Sequence, residues 1–203
     1  MNNLSNKRFE YGFIGYIQLA WFLLRTKIID KNARIFRFPF SIRGRRYIDF
    51  GESLTTGVGC RFECFPGSLP GNIAIRFGKN VQVNDYVHIV AMDRIEIGDN
   101  VLMASHIFIS DNSHGSYKCN FEDSDPKIPP TQREYVTAPI KIGNNVWIGE
   151  GVCIMPGVTI GDGCVVGAHS VVSKSIPDYS IAVGAPARVV KKYDFNTKHW
   201  EKA

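Results

Sequence analysis

The sequence lacks most features that mark secreted, disulfide-bonded or membrane-spanning proteins. Its five cysteines are odd in number and include no CxxC pair, which predicts a reducing cytoplasm without disulfides or structural zinc. Cys164 falls on an inward position of the repeat described below, so we expect it to pack in the core. No apolar run is long enough to span a bilayer, and no small-residue cleavage site follows the first apolar segment.

A strong excess of charge is also missing. The chain has 24 basic and 19 acidic residues, which leave a net charge of +5. This mild excess suits phosphate-bearing ligands or an anionic membrane surface. No basic stripe with interleaved aromatic residues is present, so we expect no nucleic-acid partner.

What the sequence does contain is a six-residue repeat over residues 142–177. In sixes, this segment reads IGNNVW, IGEGVC, IMPGVT, IGDGCV, VGAHSV and VSKSIP. The first position is Ile or Val in every six, and the second is mostly glycine. A period of six fits neither an α-helix nor a hairpin meander, but it is typical of a solenoid of short strands and tight turns. We expect the first position to point inward and the glycines to sit at turns that require positive φ.

An ordinary parallel sheet is the alternative fold for such apolar runs. It would need helices of ten or more residues between its strands, and none is predicted over 140–186. The repeat also extends backwards from residue 109 to residue 77, with one shift of frame at the extra pair Ile95 and Glu96. Over 33–78 it is degenerate.

Two loops interrupt the repeat. A proline- and glycine-rich loop is predicted within 64–72, and the period stops completely over 112–139, a segment of mixed charge that includes Pro126, Pro129 and Pro130. A loop as long as the second is normally a functional or interface element when it occurs in a solenoid. It is predicted to protrude from one corner, with a histidine at its base.

Both ends of the chain are predicted to be helical. After a polar, disordered tail (1–8), apolar residues recur at helical spacing over 9–28 and predict an amphipathic helix that packs on the protein or on a neighbouring subunit. Trp21, the tyrosines and nearby basic residues leave open a further contact with a membrane surface. At the other end, Asp194 is placed to cap a short helix that covers the last coil. The apolar stripe of the N-terminal helix comprises Phe9, Phe13, Ile17, Ala20, Leu24 and Ile28.

The repeat, the histidine loop ISDNSHG and the segment GAPAR (Gly184–Arg188) together resemble the hexapeptide-repeat acyltransferases. The similarity is strongest to the branch that O-acetylates sugars, which includes lipopolysaccharide, capsule, galactoside and maltose O-acetyltransferases. The resemblance implies a mainly β chain, folded as a left-handed parallel β-helix with three sixes per coil. It also implies a homotrimer with active sites at subunit interfaces, acetyl-CoA as cosubstrate and no metal. The implied acceptor is a sugar or glycan of a cell-surface polysaccharide or its precursor.

These expectations divide the chain into three parts. Residues 1–32 form a tail and amphipathic helix, 33–193 the β-helix acyltransferase domain, and 194–203 a helical tail. The protein is expected to be cytoplasmic, with peripheral contact to the cytoplasmic membrane face through 9–28 as an open alternative.

The resemblance places the catalytic base at His114, where the regular coil breaks into the long loop. Acetyl transfer from a thioester to a hydroxyl requires the hydroxyl to lose its proton as it attacks, and a neutral imidazole suits that step. Asn84 matches a family asparagine near the acceptor and the thioester, although an asparagine in the αL conformation at a solenoid corner is the structural alternative. Asp111 would either orient the His114 ring or stabilise a turn. Asp93 lies near the family's acidic acceptor ligand.

The same resemblance assigns the donor site to the later coils. In the family, coenzyme A lies extended between subunits, against the backbone of small residues and, at its nucleotide end, against basic side chains. Trp147, Gly149 and Glu150 match the region of the thioester, although Glu150 replaces a small hydroxyl residue of some relatives. Gly167 and Ala168 match the pantetheine strip. The nucleotide end is assigned to Ser173, Lys174, Arg188 and Lys191.

Three other functions stay open at this point. N-acetylation of a nucleotide-linked amino sugar uses the same donor and needs the same base. A γ-type carbonic anhydrase would bind zinc through His88, His106 and His114, but the first two occupy different positions of their sixes and should point in different directions. A non-catalytic hexapeptide scaffold is the third alternative, and the histidine, the basic residues and the long loop argue against it.

Overall fold

The computed structural model of this chain describes residues 11–65 and 72–203. The predicted polar tail, the first part of the predicted helical stripe and most of the loop predicted within 64–72 lie outside the described residues.

Three parallel sheets form the faces of a solenoid. Sheet A contains β1 (Ile35–Phe36), β4 (Thr55–Thr56), β7 (Gln82–Val83), β10 (Leu102–Met103), β15 (Trp147–Ile148), β18 (Val165–Val166) and β20 (Ser180–Gly184), extended by the antiparallel strands β21 (Ala187–Asp194) and β22 (His199–Lys202). Sheet B contains β2 (Ser41–Arg43), β5 (Arg61–Cys64), β8 (His88–Ala91), β11 (Phe108–Ser110), β16 (Cys153–Ile154) and β19 (Val171–Val172). Sheet C contains β3 (Ile48–Asp49), β6 (Ile75–Phe77), β9 (Ile95–Ile97), β14 (Ile140–Ile142) and β17 (Thr159–Ile160). A separate antiparallel pair is formed by β12 (Asn112–His114) and β13 (Tyr135–Thr137), and 3₁₀ turns lie at Arg45–Tyr47 and Pro130–Gln132.

The chain visits the sheets in the order A, B, C, and each strand pairs in parallel with the strand one coil later. In sheet A, Met103 lies in register with Val83 before it and with Ile148 after it. These inward residues are buried, and Cys164 packs among them as predicted. Because each coil covers the apolar face of its neighbour, the repeat builds a continuous core without helices between its strands. The predicted β-solenoid is therefore confirmed. We call the turns between sheets the A–B, B–C and C–A corners.

The glycines at the second position of each six serve a different purpose from the one predicted. Positive φ occurs instead at the fourth position, as at Asn145, Gly151 and His169. A Cβ on Gly149 would lie 2.6 Å from the backbone nitrogen of Ala168 in the next coil. The second position is small because adjacent coils approach closely there, and the prediction of positive φ was wrong.

A ladder of polar side chains holds the C–A corner. Asp99 accepts a hydrogen bond from the backbone N–H of Lys79, Asn144 accepts from Asp99, and Asp162 accepts from Asn144. The distances are 2.7, 2.8 and 2.6 Å respectively. Each side chain satisfies a backbone donor that the turn leaves without a strand partner. The corner is thereby held in the same geometry from coil to coil.

The helix α1 (Gly12–Ile29) confirms the predicted helix but not its packing face. Phe22 and Thr26 are buried against the first coil, where the backbone N–H of Phe36 donates to the Thr26 hydroxyl at 2.7 Å. The described part of the predicted stripe points outward, and Phe13 and Ile28 are 82% and 78% exposed. Since the helix is apolar on both sides, spacing alone could not select the face. Within residues 11–65 and 72–203, no helix is long and apolar enough to cross a membrane.

The predicted C-terminal helix is wrong. β21 and β22 continue sheet A as antiparallel strands, with Tyr193 paired to Trp200. Asp194 caps a turn instead of a helix, because its carboxylate accepts from the backbone N–H groups of Asn196 and Thr197 at 2.6 and 3.1 Å. The antiparallel strands cover the edge that the last coil would otherwise expose, which is the role predicted for the helix.

Candidate active site

The B–C corner is where the coils depart from the six-residue period. Successive inward residues of sheets A and B are six apart, as from Val83 to Ile89, and the steps from sheet C to sheet A are also six. Across the B–C corner, Ile97 lies eight positions after Ile89, and the chain between Ile109 and Ile142 contains the whole long loop. The inserted residues therefore collect along one edge of the solenoid. They include the predicted catalytic histidine.

His114 ends β12, which pairs with β13 so that His114 lies opposite Tyr135. The centroids of the two rings are 4.6 Å apart, and the rings are tilted by 48°. The His114 side chain is exposed, and none of the residues in the described ranges hydrogen-bonds its imidazole. Both ring nitrogens are therefore available to a substrate, while the contact with Tyr135 restricts how the ring can turn.

The long loop also holds the backbone of His114. The Tyr117 hydroxyl donates to the His114 carbonyl oxygen at 2.5 Å, and Arg133 donates to the Tyr117 hydroxyl at 2.6 Å. The same guanidinium donates to two further loop carbonyl oxygens, so it joins several turns of the loop. Gly115, with φ +107°, leaves the room that this arrangement needs, since a Cβ there would lie 2.8 Å from the Tyr117 hydroxyl oxygen. The loop is thus a support for His114.

A cavity of about 320 Å³ opens beside His114. Its walls are mostly apolar and aromatic, and the imidazole is one of its few polar groups. This combination fits a small molecule that has both an apolar face and polar substituents. The cavity is lined by Phe65, Val90, Met92, Asn112, His114 and Tyr135.

Asp111 does not orient the His114 ring. Its buried carboxylate accepts from the backbone N–H groups of Met92 and Asp93 at 2.9 and 2.8 Å. It also accepts from the side-chain amide of Asn112 at 3.1 Å. These bonds stabilise the turn of the preceding coil. The contacts of Asp111 are therefore those of a turn-stabilising residue, which was the alternative to a role in orienting His114.

Asp93 belongs to a different cavity from His114. Together with Asn72 and Arg94 it lines a polar cavity of about 450 Å³. Met92, the residue before it, lines the cavity of His114. The two cavities therefore flank the same turn, which places Asp93 close to the candidate base without bringing it into contact.

Asn84 lies at the A–B corner, away from His114 of the same chain. It precedes β8, whereas His114 follows β11, and these two strands are parallel neighbours. The two residues therefore lie at opposite ends of sheet B. The αL conformation at this corner belongs to Tyr86, with φ 56°, so the structural alternative for Asn84 was wrong.

The predicted donor residues divide between corners in the same way. Ser173 and Lys174 are exposed at the B–C corner of the last coil, while Lys191 pairs with Ile181 at the start of β20. A single chain does not gather all of them into one site. The group at or next to the A–B corner comprises Trp147, Gly149, Glu150, Gly167, Ala168 and Arg188.

The Glu150 side chain has a local partner. Its carboxylate accepts from the backbone N–H of Ser105 in the preceding coil at 2.9 Å. Asp85 does the same for Val58 at 2.8 Å two coils earlier. An acidic residue at this corner therefore caps the corresponding turn of the preceding coil. This structural role is enough to explain the carboxylate of Glu150, and no ligand contact is needed to explain it.

The three histidines considered as zinc ligands lie apart. His88 contacts Glu63 on sheet B at 2.9 Å, and His106 stacks on Tyr86 at the A–B corner with ring centroids 5.1 Å apart. His114 lies at the B–C corner. Across the two described ranges, no group of three or more His, Cys, Asp or Glu side chains could hold a metal ion. A three-histidine site therefore has no support in the fold.

Three residues around His114 were not predicted from the sequence. Tyr117, Arg133 and Tyr135 all belong to the segment 112–139, where no period indicates which side chains meet. Their only sequence signal is their place in a long loop that begins at the histidine. Aromatic and arginine residues in such a loop are candidates for support of the site, but the pairing of β12 with β13 was needed to identify them.

Comparison with known proteins assigns the family. Residues 139–174 match the family model described as "Bacterial transferase hexapeptide (six repeats)". Over 194 residues, 96% of each chain, the protein is 47% identical to the putative lipopolysaccharide biosynthesis O-acetyl transferase WbbJ of Escherichia coli K12. The chain belongs to the hexapeptide-repeat acetyltransferase family. The predicted family and enzyme class are confirmed.

Two further members of the family show the same relationship. The acetyltransferase is 40% identical over 126 residues to the galactoside O-acetyltransferase of Escherichia coli K12, covering 62% of this chain and 58% of that protein. Its fold superimposes on the crystal structure of a maltose O-acetyltransferase from Clostridium difficile 630 with a TM-score of 0.60 and 28% identity, over 88% of each chain. The solenoid is thus the left-handed parallel β-helix that the resemblance implied.

Proposed function

We propose that this acetyltransferase transfers an acetyl group from acetyl-CoA to a hydroxyl of a sugar in a cell-surface polysaccharide, such as the lipopolysaccharide O-antigen or capsule, or in its precursor. The relatives described above support this assignment, since all three are named as O-acetyltransferases and two are named for a sugar substrate. The observation that carries it is the accessible imidazole of His114 at the edge of an apolar cavity of about 320 Å³.

His114 is the proposed general base. Its imidazole takes the proton of the attacking hydroxyl while a new C–O bond forms at the acetyl carbonyl carbon. The C–S bond then breaks, and the departing sulfur accepts the proton, so that coenzyme A leaves as the thiol. The thioester is already activated, and no acyl-enzyme is required. The ring contact with Tyr135 and the bond from Tyr117 would keep the imidazole in place through this sequence.

The complete site is proposed to lie between subunits of a homotrimer. Within one chain, His114 lies at the B–C corner and most of the predicted donor residues lie at the A–B corner, with the width of sheet B between them. A neighbour that presents its A–B corner to this B–C corner would bring the two sets together. Light scattering should give the mass of three chains, and an active monomer would contradict this arrangement.

The A–B corner offers two features to the donor. Trp147 and Leu102 are neighbours on sheet A and are 53% and 39% exposed, which gives an apolar surface next to the corner. Arg188 adds an exposed cation suited to phosphate. Gly149 is small because the next coil approaches it closely, so its size does not by itself indicate a ligand. The nucleotide end of coenzyme A is therefore assigned to the Arg188 side of this corner.

The test of the proposed function is the substitution His114→Ala. A general base contributes about 10²- to 10⁴-fold to the rate, so turnover should fall by that order. Trimer mass and coenzyme A affinity should not change. Release of free thiol from acetyl-CoA would be followed against a panel of glycans and amino sugars, with His199→Ala, an exposed histidine in β22, as the matched control. Near-normal turnover of His114→Ala would remove the histidine from the mechanism.

A peripheral membrane contact of the cytoplasmic enzyme is proposed for the outward face of α1. This face carries large apolar side chains, among them Phe13, Ile17 and Trp21, which are 82%, 57% and 55% exposed. Sedimentation with vesicles of anionic phospholipid should retain the wild-type chain and release Ile17→Glu. If both proteins stay in solution, this face does not bind the lipid surface.

A further inference from the structure

A buried carboxylate and two arginines lie on the outer face of sheet B, outside the site described so far. The Glu63 side chain is only 7% exposed. The guanidinium of Arg61 lies 2.6 Å from its carboxylate, that of Arg43 lies 3.6 Å away, and the His88 ring nitrogen lies 2.9 Å away. No step of the proposed acetyl transfer uses these residues.

The charges of this cluster do not cancel. Burial by itself raises the pKa of the Glu63 carboxyl, but hydrogen bonds from His88 and Arg61 outweigh burial and hold that pKa below its ordinary value. One carboxylate therefore faces two permanent cations, which leaves at least one positive charge in excess. The arginine side chains are 54% and 66% exposed, although the carboxylate is not.

Glu63 contacts the two guanidiniums unequally. It accepts a hydrogen bond from Arg61 at 2.6 Å, whereas Arg43 faces it only in an ion pair at 3.6 Å and also lies over the Phe65 ring. Each guanidinium has five N–H donors, and most of them are left for a ligand. Because Arg61 is already positioned by Glu63, it binds phosphate oxygens with less loss of side-chain entropy than an unrestrained arginine would, and Arg43 adds a second cation beside it.

The cluster borders the cavity of His114. Glu63 lies in register with Val90, and Val90 lines that cavity. Phe65, two residues beyond Glu63, lines it as well, and the guanidinium carbon of Arg43 lies 5.3 Å from the Phe65 ring centroid. A ligand whose reacting end enters the cavity can therefore extend along sheet B to the arginines.

We infer that the acceptor is a glycosyl phosphate or diphosphate, with its anionic group on Arg43 and Arg61 and its reacting hydroxyl at His114. This inference rests on the proposed function and narrows it to a charged precursor in place of a finished neutral glycan. The same chemistry occurs in sugars linked to a nucleoside diphosphate and in sugars linked to a lipid diphosphate. The arginines recognise the part that the two sources share.

Binding of the anion can be measured separately from the reaction. Inorganic pyrophosphate and UDP would be titrated calorimetrically into the full chain saturated with coenzyme A, so that the donor site is filled. Arg61→Ala and Arg43→Ala should each weaken binding at least about tenfold, as expected for the loss of a charge-assisted bond. Arg61→Lys keeps the positive charge but loses the planar guanidinium, so its affinity should lie between that of the alanine variants and that of the wild type. Lys79→Ala is the control, because Lys79 belongs to an exposed ion pair with Glu52 at the C–A corner.

The reaction provides the second measurement. Free thiol release would be compared for one sugar presented as its nucleoside diphosphate derivative, as its farnesyl diphosphate derivative in detergent, and as the free glycan. The wild type should prefer the two diphosphates in kcat/KM. Arg61→Ala should lose most of that preference, whereas Lys79→Ala should keep it. The ratio of kcat/KM between the two diphosphates shows whether the acceptor is linked to a nucleoside or to a lipid.

Several outcomes would overturn the inference. One is a wild-type enzyme that acetylates the free glycan as efficiently as the two diphosphates. Another is a loss of pyrophosphate affinity in Lys79→Ala as large as that in Arg61→Ala. Dissociation of the assembly in Glu63→Gln and Arg61→Ala would show that the cluster is an interface ion pair. If pyrophosphate binds through the arginines but no acceptor is acetylated, the failure lies with the proposed function and not with the anion site.

Discussion

The A–B and C–A corners of this solenoid keep one six-residue spacing, whereas the B–C corner differs in length from coil to coil. Positive φ occurs in the turn at every C–A corner and at the A–B corners from Gly59 onward, and some of these turns have a side-chain cap, as Asp99 provides for Lys79. At the B–C corner, the insertions include an eight-residue step and the long loop that carries His114.

The difference shows how a solenoid accommodates a reactive site. Parallel pairing on each face depends on the strands and not on the length of the turns between them, so one corner can vary while the faces stay in register. Ile97 still pairs with Ile142 although the whole loop is inserted before β14. The regular corners provide rigidity, and the variable corner provides the cavity. Substitutions in the coils and in the loop can test that division.

The first prediction concerns the core that supports all three corners. Ile154→Ala removes a fully buried side chain from the inward column of sheet B. It should lower the free energy of unfolding by about 2–5 kcal/mol, from lost apolar burial and the cavity left behind. Denaturant unfolding measures the loss, and Lys141→Ala on the outer face of sheet C serves as the control. A change below about 1 kcal/mol would mean that the column is not continuously packed.

The second prediction makes the same substitution at two corners. Gly149→Ala would place a Cβ 2.6 Å from the backbone of the next coil, and should cost about 1–3 kcal/mol of stability. Gly115→Ala would meet Tyr117 and Ser124 in the loop, where φ is +107°. It should displace His114 and lower turnover by about tenfold to a hundredfold, with a smaller shift of the melting temperature.

Melting curves and thiol release on the two variants separate the roles. If Gly115→Ala loses as much stability as Gly149→Ala and no more activity, the two corners do not differ as described.

The third prediction concerns the bond that holds His114. Tyr117→Phe removes the hydroxyl that bridges the His114 carbonyl oxygen and Arg133. A hydrogen bond of this kind contributes about 0.5–1.5 kcal/mol, so kcat should fall up to about tenfold while the KM for acetyl-CoA stays constant. Tyr193→Phe in β21 is the matched control. A rise in KM with unchanged kcat would show that Tyr117 contacts the substrate instead.

The fourth prediction compares thiols in the loop and in the coils. Burial raises the pKa of the Cys60 thiol to about 11 and that of Cys64 to about 12, whereas Cys119 lies exposed in the long loop. At pH 8, iodoacetamide should modify Cys119 first and leave the two buried thiols unmodified, because only the thiolate reacts. Peptide mass spectrometry identifies the order in which the cysteines are modified. Early labelling of Cys60 or Cys64 would indicate that the first coils open easily.

Repetition explains which parts of the fold could be predicted. The inward column from Ile142 to Val172 is visible in the sequence because every coil repeats the same burial requirement, and the structure confirms it. The stripe on α1 was misjudged because the helix has apolar residues on both sides, and contact with Phe36 decides which side is covered. Asp194 has the sequence of a helix cap but caps a hairpin turn, because the pairing of β22 with β21 outweighs the local signal.

The candidate site was predictable only where the repeat breaks. His114 could be located from its place at the end of a regular coil, but its neighbours could not. Tyr135 lies far from His114 in the sequence and contacts it only because β12 and β13 form an antiparallel pair, which the six-residue repeat does not predict. The sequence left the role of Asp111 open between orienting His114 and stabilising a turn. The structure shows that its carboxylate accepts a hydrogen bond from the backbone N–H of Met92.

The sequence alone determined that this chain is a solenoid, because a six-residue period with β-branched residues at one position has few other ways to bury its apolar side chains. It also determined the family and the position of the candidate base. The tertiary structure decided which residues surround that base, which acids serve only the corners, and that a buried Glu63 beside the cavity is hydrogen-bonded to Arg61 and ion-paired with Arg43. Such contacts join coils that are distant in sequence, and only the stacking of coils sets which side chains meet.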